Sequence, residues 1–84
     1  EGVEYEVEGL IYPNPASDLL TVDFPKLEGR VFISDITRRT MVDLSFDRET
    51  QTSIDVSNWS EGLYIVTWMG KNNEIMTTRI TVAH

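Results

Sequence analysis

The sequence predicts an all-β, immunoglobulin-like β-sandwich of about seven mainly antiparallel strands. Apolar and polar residues alternate with a period of two in several short runs, which is the pattern of half-buried strands. The runs recur about every 8–12 residues and are separated by turn residues, which is typical of sandwiches. No window holds an apolar helical period over three turns, so no long helix is expected.

Six runs are expected to be firm strands. They span residues 20–24, 31–33, 42–46, 54–56, 63–68 and 76–82. The run at 63–68 is apolar on both faces, which indicates a central strand. Residues 1–9 alternate glutamate with valine or tyrosine over most of their length, so we expect a linker or an N-terminal edge strand there. The domain itself is expected to occupy residues 10–84.

Turn residues separate the predicted strands. Pro13 and Pro15 cannot continue a ladder because proline lacks an N–H group, and the Asn14 side chain is expected to cap its own turn. Hairpin turns are expected at Glu28-Gly29 and at residues 70–73.

A longer corner is expected at residues 58–62, just before the central strand. Gly62 should permit the sharp change of direction, and the Tyr64 hydroxyl should anchor the corner, as a tyrosine does in other sandwiches. Trp59 is expected to plug this corner rather than to form a ligand platform.

Composition excludes several function classes. The 84 residues carry a net charge of −7 and include no cysteine. One small domain fits this length, and disulfides, cysteine-ligated zinc and thiol catalysis are ruled out. The acidic surface should repel nucleic acids and anionic lipids. No run approaches the roughly 18–20 apolar residues of a membrane span, so the chain should not be membrane-spanning.

Catalytic and metal sites are also not expected. The only histidine is His84, the last residue, which is expected to be a frayed end or part of an affinity tag rather than a base. We therefore expect no enzyme activity, no cofactor and no metal site. Calcium is the weaker alternative that stays open, because carboxylates occur near predicted turns at Asp35, Asp43, Asp47 and Asp55.

The stretch Leu10–Val22 resembles the opening motif of the C-terminal sorting domains of the type IX (Por) secretion system of Bacteroidetes. That motif is an aliphatic pair, Tyr-Pro-Asn-Pro, a small polar turn and an alternating strand. The stretch Val31–Arg39 is similar to the next family element, in which a strand and an aspartate precede a Gly-Arg or Gly-Lys turn. Arg38 stands where the family usually has glycine, so the turn should either avoid positive φ or tolerate it at some cost.

Two later stretches complete the resemblance. Ile54–Val66 resembles the family's short strand, Ser-x-aromatic corner and Gly-x-Tyr strand, and Gly70 falls at the hairpin that follows. Arg79–Val82 resembles the family's terminal basic and aliphatic strand. Four ordered elements across residues 10–82 make the resemblance specific.

The resemblance implies a C-terminal secretion signal that directs a cargo protein across the outer membrane. Such a domain passes through the periplasm and reaches the cell surface or the medium. Removal by a cell-surface sortase, with anchoring of the cargo to lipopolysaccharide, is implied as well. The implied partners are the type IX machinery, the sortase and an upstream cargo domain in the same chain.

We expect direct recognition at the terminal strand, because a terminal segment is accessible. The residues proposed for it are Arg79, Ile80 and Val82. The other family-motif residues are expected to determine the fold: Tyr12, Pro13, Asn14, Pro15, Asp35, Arg39, Gly62, Tyr64 and Gly70. The alternative function is an immunoglobulin-like spacer or carbohydrate-binding module of a surface adhesin or glycoside hydrolase.

Overall fold

The chain forms eight β-strands in a computed structural model that describes residues 3–6, 10–24, 28–70 and 74–84, with the first of these ranges described as backbone only. The strands are β1 (Val3–Glu6), β2 (Ile11–Tyr12), β3 (Leu19–Asp23), β4 (Glu28–Asp35), β5 (Thr40–Asp47), β6 (Gln51–Asp55), β7 (Gly62–Gly70) and β8 (Glu74–Val82).

The strands are arranged in two sheets. The larger sheet has the order β1-β8-β7-β4-β5, and the smaller has the order β2-β3-β6. Every neighbouring pair is antiparallel except β1 and β8, which run parallel. The predicted all-β sandwich is confirmed, and the apolar run at 63–68 lies in β7, between β8 and β4. The part of the chain that the structure describes has no helix with the length and apolarity to cross a bilayer.

The core lies between the two sheets, and in β3, β4, β7 and β8 buried side chains recur at alternate positions. Its fully buried large side chains come from both sheets and from the segment after β6: Leu20, Val22, Val31, Ile33, Val56, Val66, Trp68, Ile80 and Val82. The Trp68 indole Nε1 donates a hydrogen bond of 3.0 Å to the carbonyl oxygen of Asp23. This bond joins the sheets and satisfies the one polar atom of the largest core side chain.

An aromatic pair closes one end of the core. Phe24, just after β3, stacks on Phe46 of β5 with ring centroids 4.1 Å apart and planes 4° from parallel. Phe46 is buried and Phe24 is half-buried, so the pair covers the apolar interior where the two sheets meet.

The expectation of a turn at Glu28-Gly29 is wrong, because both residues lie inside β4. Gly29 is paired with Phe46 on one side and Gly70 on the other. A Cβ at Gly29 would overlap the carbonyl oxygen of Met69, so glycine is needed here for close approach rather than for a turn. Residues 71–73, which belong to the second predicted hairpin turn, lie outside the described residues, as do residues 25–27.

Replacing Gly29 with alanine should lower the free energy of unfolding by about 3 kcal/mol, because the new methyl group meets backbone that cannot move aside cheaply. Gly62→Ala is the matched control. Gly62 has a φ of 149° but open space around its missing Cβ, so only the backbone conformation is strained, at about 1 kcal/mol. Urea denaturation of both variants measures the difference, and equal losses would contradict the overlap.

Candidate functional site

The terminal strand β8 is paired along both of its edges. On one edge it pairs with β7, from Gly62 opposite Val82 to Met69 opposite Ile75. On the other edge β1 runs parallel to residues 74–77. Further along that second edge, Ala16 forms an isolated parallel bridge with Val82. The first and last family motifs are therefore in direct contact.

Three hydrogen bonds make this contact, which we call the brace (Asn14 and Ala16 with Thr81 and Ala83). The Ala16 amide donates to the Thr81 carbonyl oxygen at 2.9 Å, and the Ala83 amide donates to the Ala16 carbonyl oxygen at 2.9 Å. The Thr81 amide donates to Oδ1 of Asn14 at 3.0 Å. Ala16 is completely buried, and its small side chain lets the two backbones approach.

The brace corrects the prediction that Asn14 caps its own turn. Its side-chain oxygen instead accepts a hydrogen bond from a residue 67 positions later. The reason is that the Thr81 amide lies at a sheet edge and needs an acceptor, which the Asn14 side chain supplies. The peptide bonds before Pro13 and Pro15 are both cis.

The end of the chain is held as well, so the expectation of a frayed His84 is wrong. The His84 amide donates to Oε2 of Glu61 at 3.0 Å, and its ring Nε2 lies 2.8 Å from the Trp59 carbonyl oxygen. Contacts with the corner before β7 therefore hold His84, which lies two residues after the end of β8.

That corner has the structure that the sequence predicts. The Tyr64 hydroxyl donates to the Ser60 carbonyl oxygen at 2.6 Å, which is the predicted anchor. Trp59 is half-buried and packs on Tyr64 with ring centroids 5.0 Å apart, so it does plug the corner. Gly62 opens β7 directly after it.

The three residues proposed for recognition occupy different environments. Ile80 and Val82 are each 1% exposed and pack in the core, whereas Arg79 points to the outer face of the larger sheet and is exposed. On that face Arg79 lies beside Ile65 of β7, and Thr81 lies beside Leu63. Arg79 is thus the one of the three whose side chain faces outward.

The Asp35–Arg39 turn is closed by one carboxylate. Oδ1 of Asp35 accepts hydrogen bonds from the Thr37 amide at 2.9 Å, the Thr37 hydroxyl at 2.6 Å and the Arg39 amide at 3.0 Å. Oδ2 lies 3.3 Å from Nε of Arg39. The bonds from Thr37 and Arg39 hold the pKa of Asp35 below its ordinary value.

Arg38 completes this turn with a φ of 72°, where the family usually has glycine. Of the two alternatives left open by the sequence, the turn is therefore the one that tolerates positive φ. A non-glycine residue in this region costs about 1–2 kcal/mol.

The carboxylates considered for calcium have other partners. Ser57 donates to Oδ1 of Asp55 through its amide at 2.9 Å and its hydroxyl at 2.6 Å, and these bonds lower the pKa of Asp55. Asp43 pairs with Arg30 at 2.8 Å. Among the described residues, no group of three or more histidine or acidic side chains could hold a metal ion.

Tyr12 belongs to a network of side-chain hydrogen bonds that links the three strands of the smaller sheet on its outer face. Its hydroxyl donates to Oδ1 of Asp23 at 3.0 Å, and Nε2 of Gln51 donates to the same oxygen at 3.1 Å. The hydrogen bond to the Asp23 carboxylate raises the pKa of Tyr12. Sequence reasoning did not single out Asp23, Gln51 or Ala16, because their partners lie on other strands.

A family profile matches most of the chain. The profile of the family described as a secretion system C-terminal sorting domain matches residues 10–83. The chain belongs to this family. The match covers β2 to β8 and therefore every residue of the brace, and it begins after β1. No curated protein matches the sorting domain.

Replacing Asn14 with alanine should expose the Thr81 amide and lower the free energy of unfolding by about 1 kcal/mol, the net worth of one hydrogen bond. Asn58→Ala, at an exposed position of the corner, is the control and should change little. Amide hydrogen exchange resolved by residue measures the effect. Unchanged protection at Thr81 would show that the Asn14 side chain does not hold the strand end.

The lowered pKa values of Asp35 and Asp55 predict acid sensitivity. A carboxylate whose pKa is lower in the folded chain adds stability above its ordinary value of 3.8, and that stability is lost as the pH falls through the folded value. The free energy of unfolding should therefore fall below about pH 4. The double variant Asp35→Asn, Asp55→Asn should show a shallower fall in urea denaturation across pH 5 to 2. A slope equal to that of the original chain would contradict this account.

Proposed function

We propose that this sorting domain directs a cargo protein across the outer membrane through the type IX secretion system, with β8 as the segment that is read. The observation that carries the proposal is the convergence of the family elements on β8. Asn14 of the opening motif contacts the edge of β8 that faces away from β7. The strand with Gly62 and Tyr64, which is β7, pairs with the other edge, and the corner before β7 contacts the residue His84 that follows β8.

Recognition is proposed to use the outward row of β8, with Arg79 as its charged member. Ile80 and Val82 contribute by fixing the strand, because their buried side chains set which residues face outward. An arginine presented from a paired strand is held in a defined place, which favours specific contact with a carboxylate or a carbonyl group.

The partners and route follow from the same proposal. An upstream cargo domain would carry the domain through the periplasm to the machinery, and a sortase would remove the domain and anchor the cargo to lipopolysaccharide at the cell surface. The cut is proposed at or before the acidic segment of residues 1–8. Because β1 pairs with β8 in that segment, a cut on its N-terminal side would leave the sheet intact.

The role proposed is that of a ligand for the machinery rather than an enzyme, since members of the family are sorting signals. The alternative of a carbohydrate-binding module has less support. A sugar platform needs exposed aromatic rings in one plane, whereas Trp59 is half-buried against Tyr64 and Trp68 is fully buried.

A secretion assay tests the proposal. The 84-residue chain is fused to the C-terminus of a periplasmic reporter in a type IX-competent host, and the surface-exposed fraction of the reporter is measured. Arg79→Gln should lower that fraction about tenfold, as expected for loss of one charge-assisted contact. Arg48→Gln, in the turn between β5 and β6, is the matched control and should stay within about twofold.

An isogenic host without the translocon should retain the reporter in the periplasm. Surface exposure in that host would refute the type IX route. Equal exposure of the Arg79→Gln and original fusions would refute direct reading of the terminal strand.

A further inference from the structure

A partly apolar groove lies on the outer face of the larger sheet, close to β8. Its volume is about 660 Å³, and its lining includes Phe32, Ser34, Ile36, Arg38, Ile65 and Thr67. A smaller hollow of about 190 Å³ continues from it past Ile36 to Leu63 and Glu61. Leu63 belongs to β7 and is paired with Thr81 of β8, so the smaller hollow lies one strand away from the terminal strand.

Ile36 stands between the two hollows and is 74% exposed, the highest value among the large apolar side chains of the described residues. Leu63, which lines the smaller hollow, is 40% exposed. Single exposed apolar residues are ordinary, whereas exposed apolar residues that are neighbours on the surface can form an interaction site.

The turn that displays Ile36 is rigid. Three hydrogen bonds to Asp35 fix it, and the Asp35 amide donates to the Arg39 carbonyl oxygen at 3.0 Å. A backbone that is already held in place loses little freedom on binding, which favours affinity. The turn that carries Ile36 is therefore preorganised in its backbone.

Arg38 adds a charge to the groove. The other charged residue of the lining is Asp35, which is already engaged by Arg39, so the charge presented by the lining is that of Arg38. Arg38 also keeps a positive φ that glycine would adopt without strain.

We infer that this groove binds a protein partner that presents an apolar side chain next to a carboxylate, with Ile36 and Leu63 as the apolar contacts and Arg38 as the ion-pair donor. The charge of Arg38 favours a carboxylate on the partner, because Asp35 of the same lining is paired with Arg39. The inference rests on the proposed sorting function, because the partner is taken to belong to the secretion machinery.

The test uses the reporter fusion with two pairs of variants. In the first pair, Ile36→Ser is compared with Leu19→Ser, because Leu19 is 57% exposed on the smaller sheet. Ile36→Ser should lower the surface-exposed fraction about tenfold, as expected for a central apolar contact, and Leu19→Ser should leave it within about twofold.

The second pair separates binding from folding. Arg38 and Arg48 have φ values of 72° and 68° and are both exposed, so Arg38→Gly and Arg48→Gly relieve the same backbone conformation. Both should raise the Tm of the purified 84-residue chain by roughly 3–6 °C. Arg38→Gly alone should lower surface exposure of the reporter, by about fivefold to tenfold.

The outcomes separate the two proposals. Retention of the original fusion in the periplasm would overturn the sorting function and this inference with it. Normal export of the original fusion together with undiminished export of Ile36→Ser and Arg38→Gly would overturn the groove alone. Self-association of the purified chain that Ile36→Ser abolishes would show that a second copy of the chain occupies the groove, and would overturn the assignment to the machinery.

Discussion

The edge of β8 that faces away from β7 has backbone amides and carbonyl groups that need hydrogen-bond partners. The segments that supply these partners determine how much of the remaining chain is placed. A sheet edge that lacks partners exposes amides and carbonyl groups to any other strand, so folded proteins cover such edges. Here the cover comes from β1 along the first part of β8 and from Asn14 and Ala16 near its end. The positions of β1, Asn14 and Ala16 therefore follow from the hydrogen bonds that the backbone of β8 requires.

The same constraint explains why the family elements occur together. The strand that carries Gly62 and Tyr64 is β7, which pairs with one edge of β8. The corner before β7 supplies acceptors for the amide and ring of His84. A change in either element would reach β8 through backbone hydrogen bonds. The family pattern can thus be understood as the set of residues that positions one strand.

Sequence reasoning predicted the parts of this structure that depend on local pattern. Strand positions, the central position of β7 and the Tyr64 anchor follow from alternation and turn chemistry, and they agree with the structure. The prediction of a turn at Gly29 was wrong because the reason for that glycine is the Met69 carbonyl oxygen on the neighbouring strand. Contacts between distant segments leave no periodic signal in a single sequence.

The candidate site shows the same division. Arg79, Asp35 and Arg39 could be singled out by resemblance. Ile80 and Val82 were expected to be recognised directly, but both side chains are buried in the core. The partner of Asn14 could not be identified, because a side chain suited to capping a local turn is equally suited to reach an edge amide far away in the sequence. The exposure of Ile36 depends on which way the turn after β4 projects, which only the fold determines.

The brace also has a consequence for biosynthesis. Asn14 and Ala16 are synthesised well before Thr81 and Ala83, their partners in the brace. Contacts between such distant positions form late, after the chain that separates them has been synthesised. A chain that stops before residue 81 lacks all three bonds. The intact brace therefore forms only in a chain that has been synthesised through residue 83.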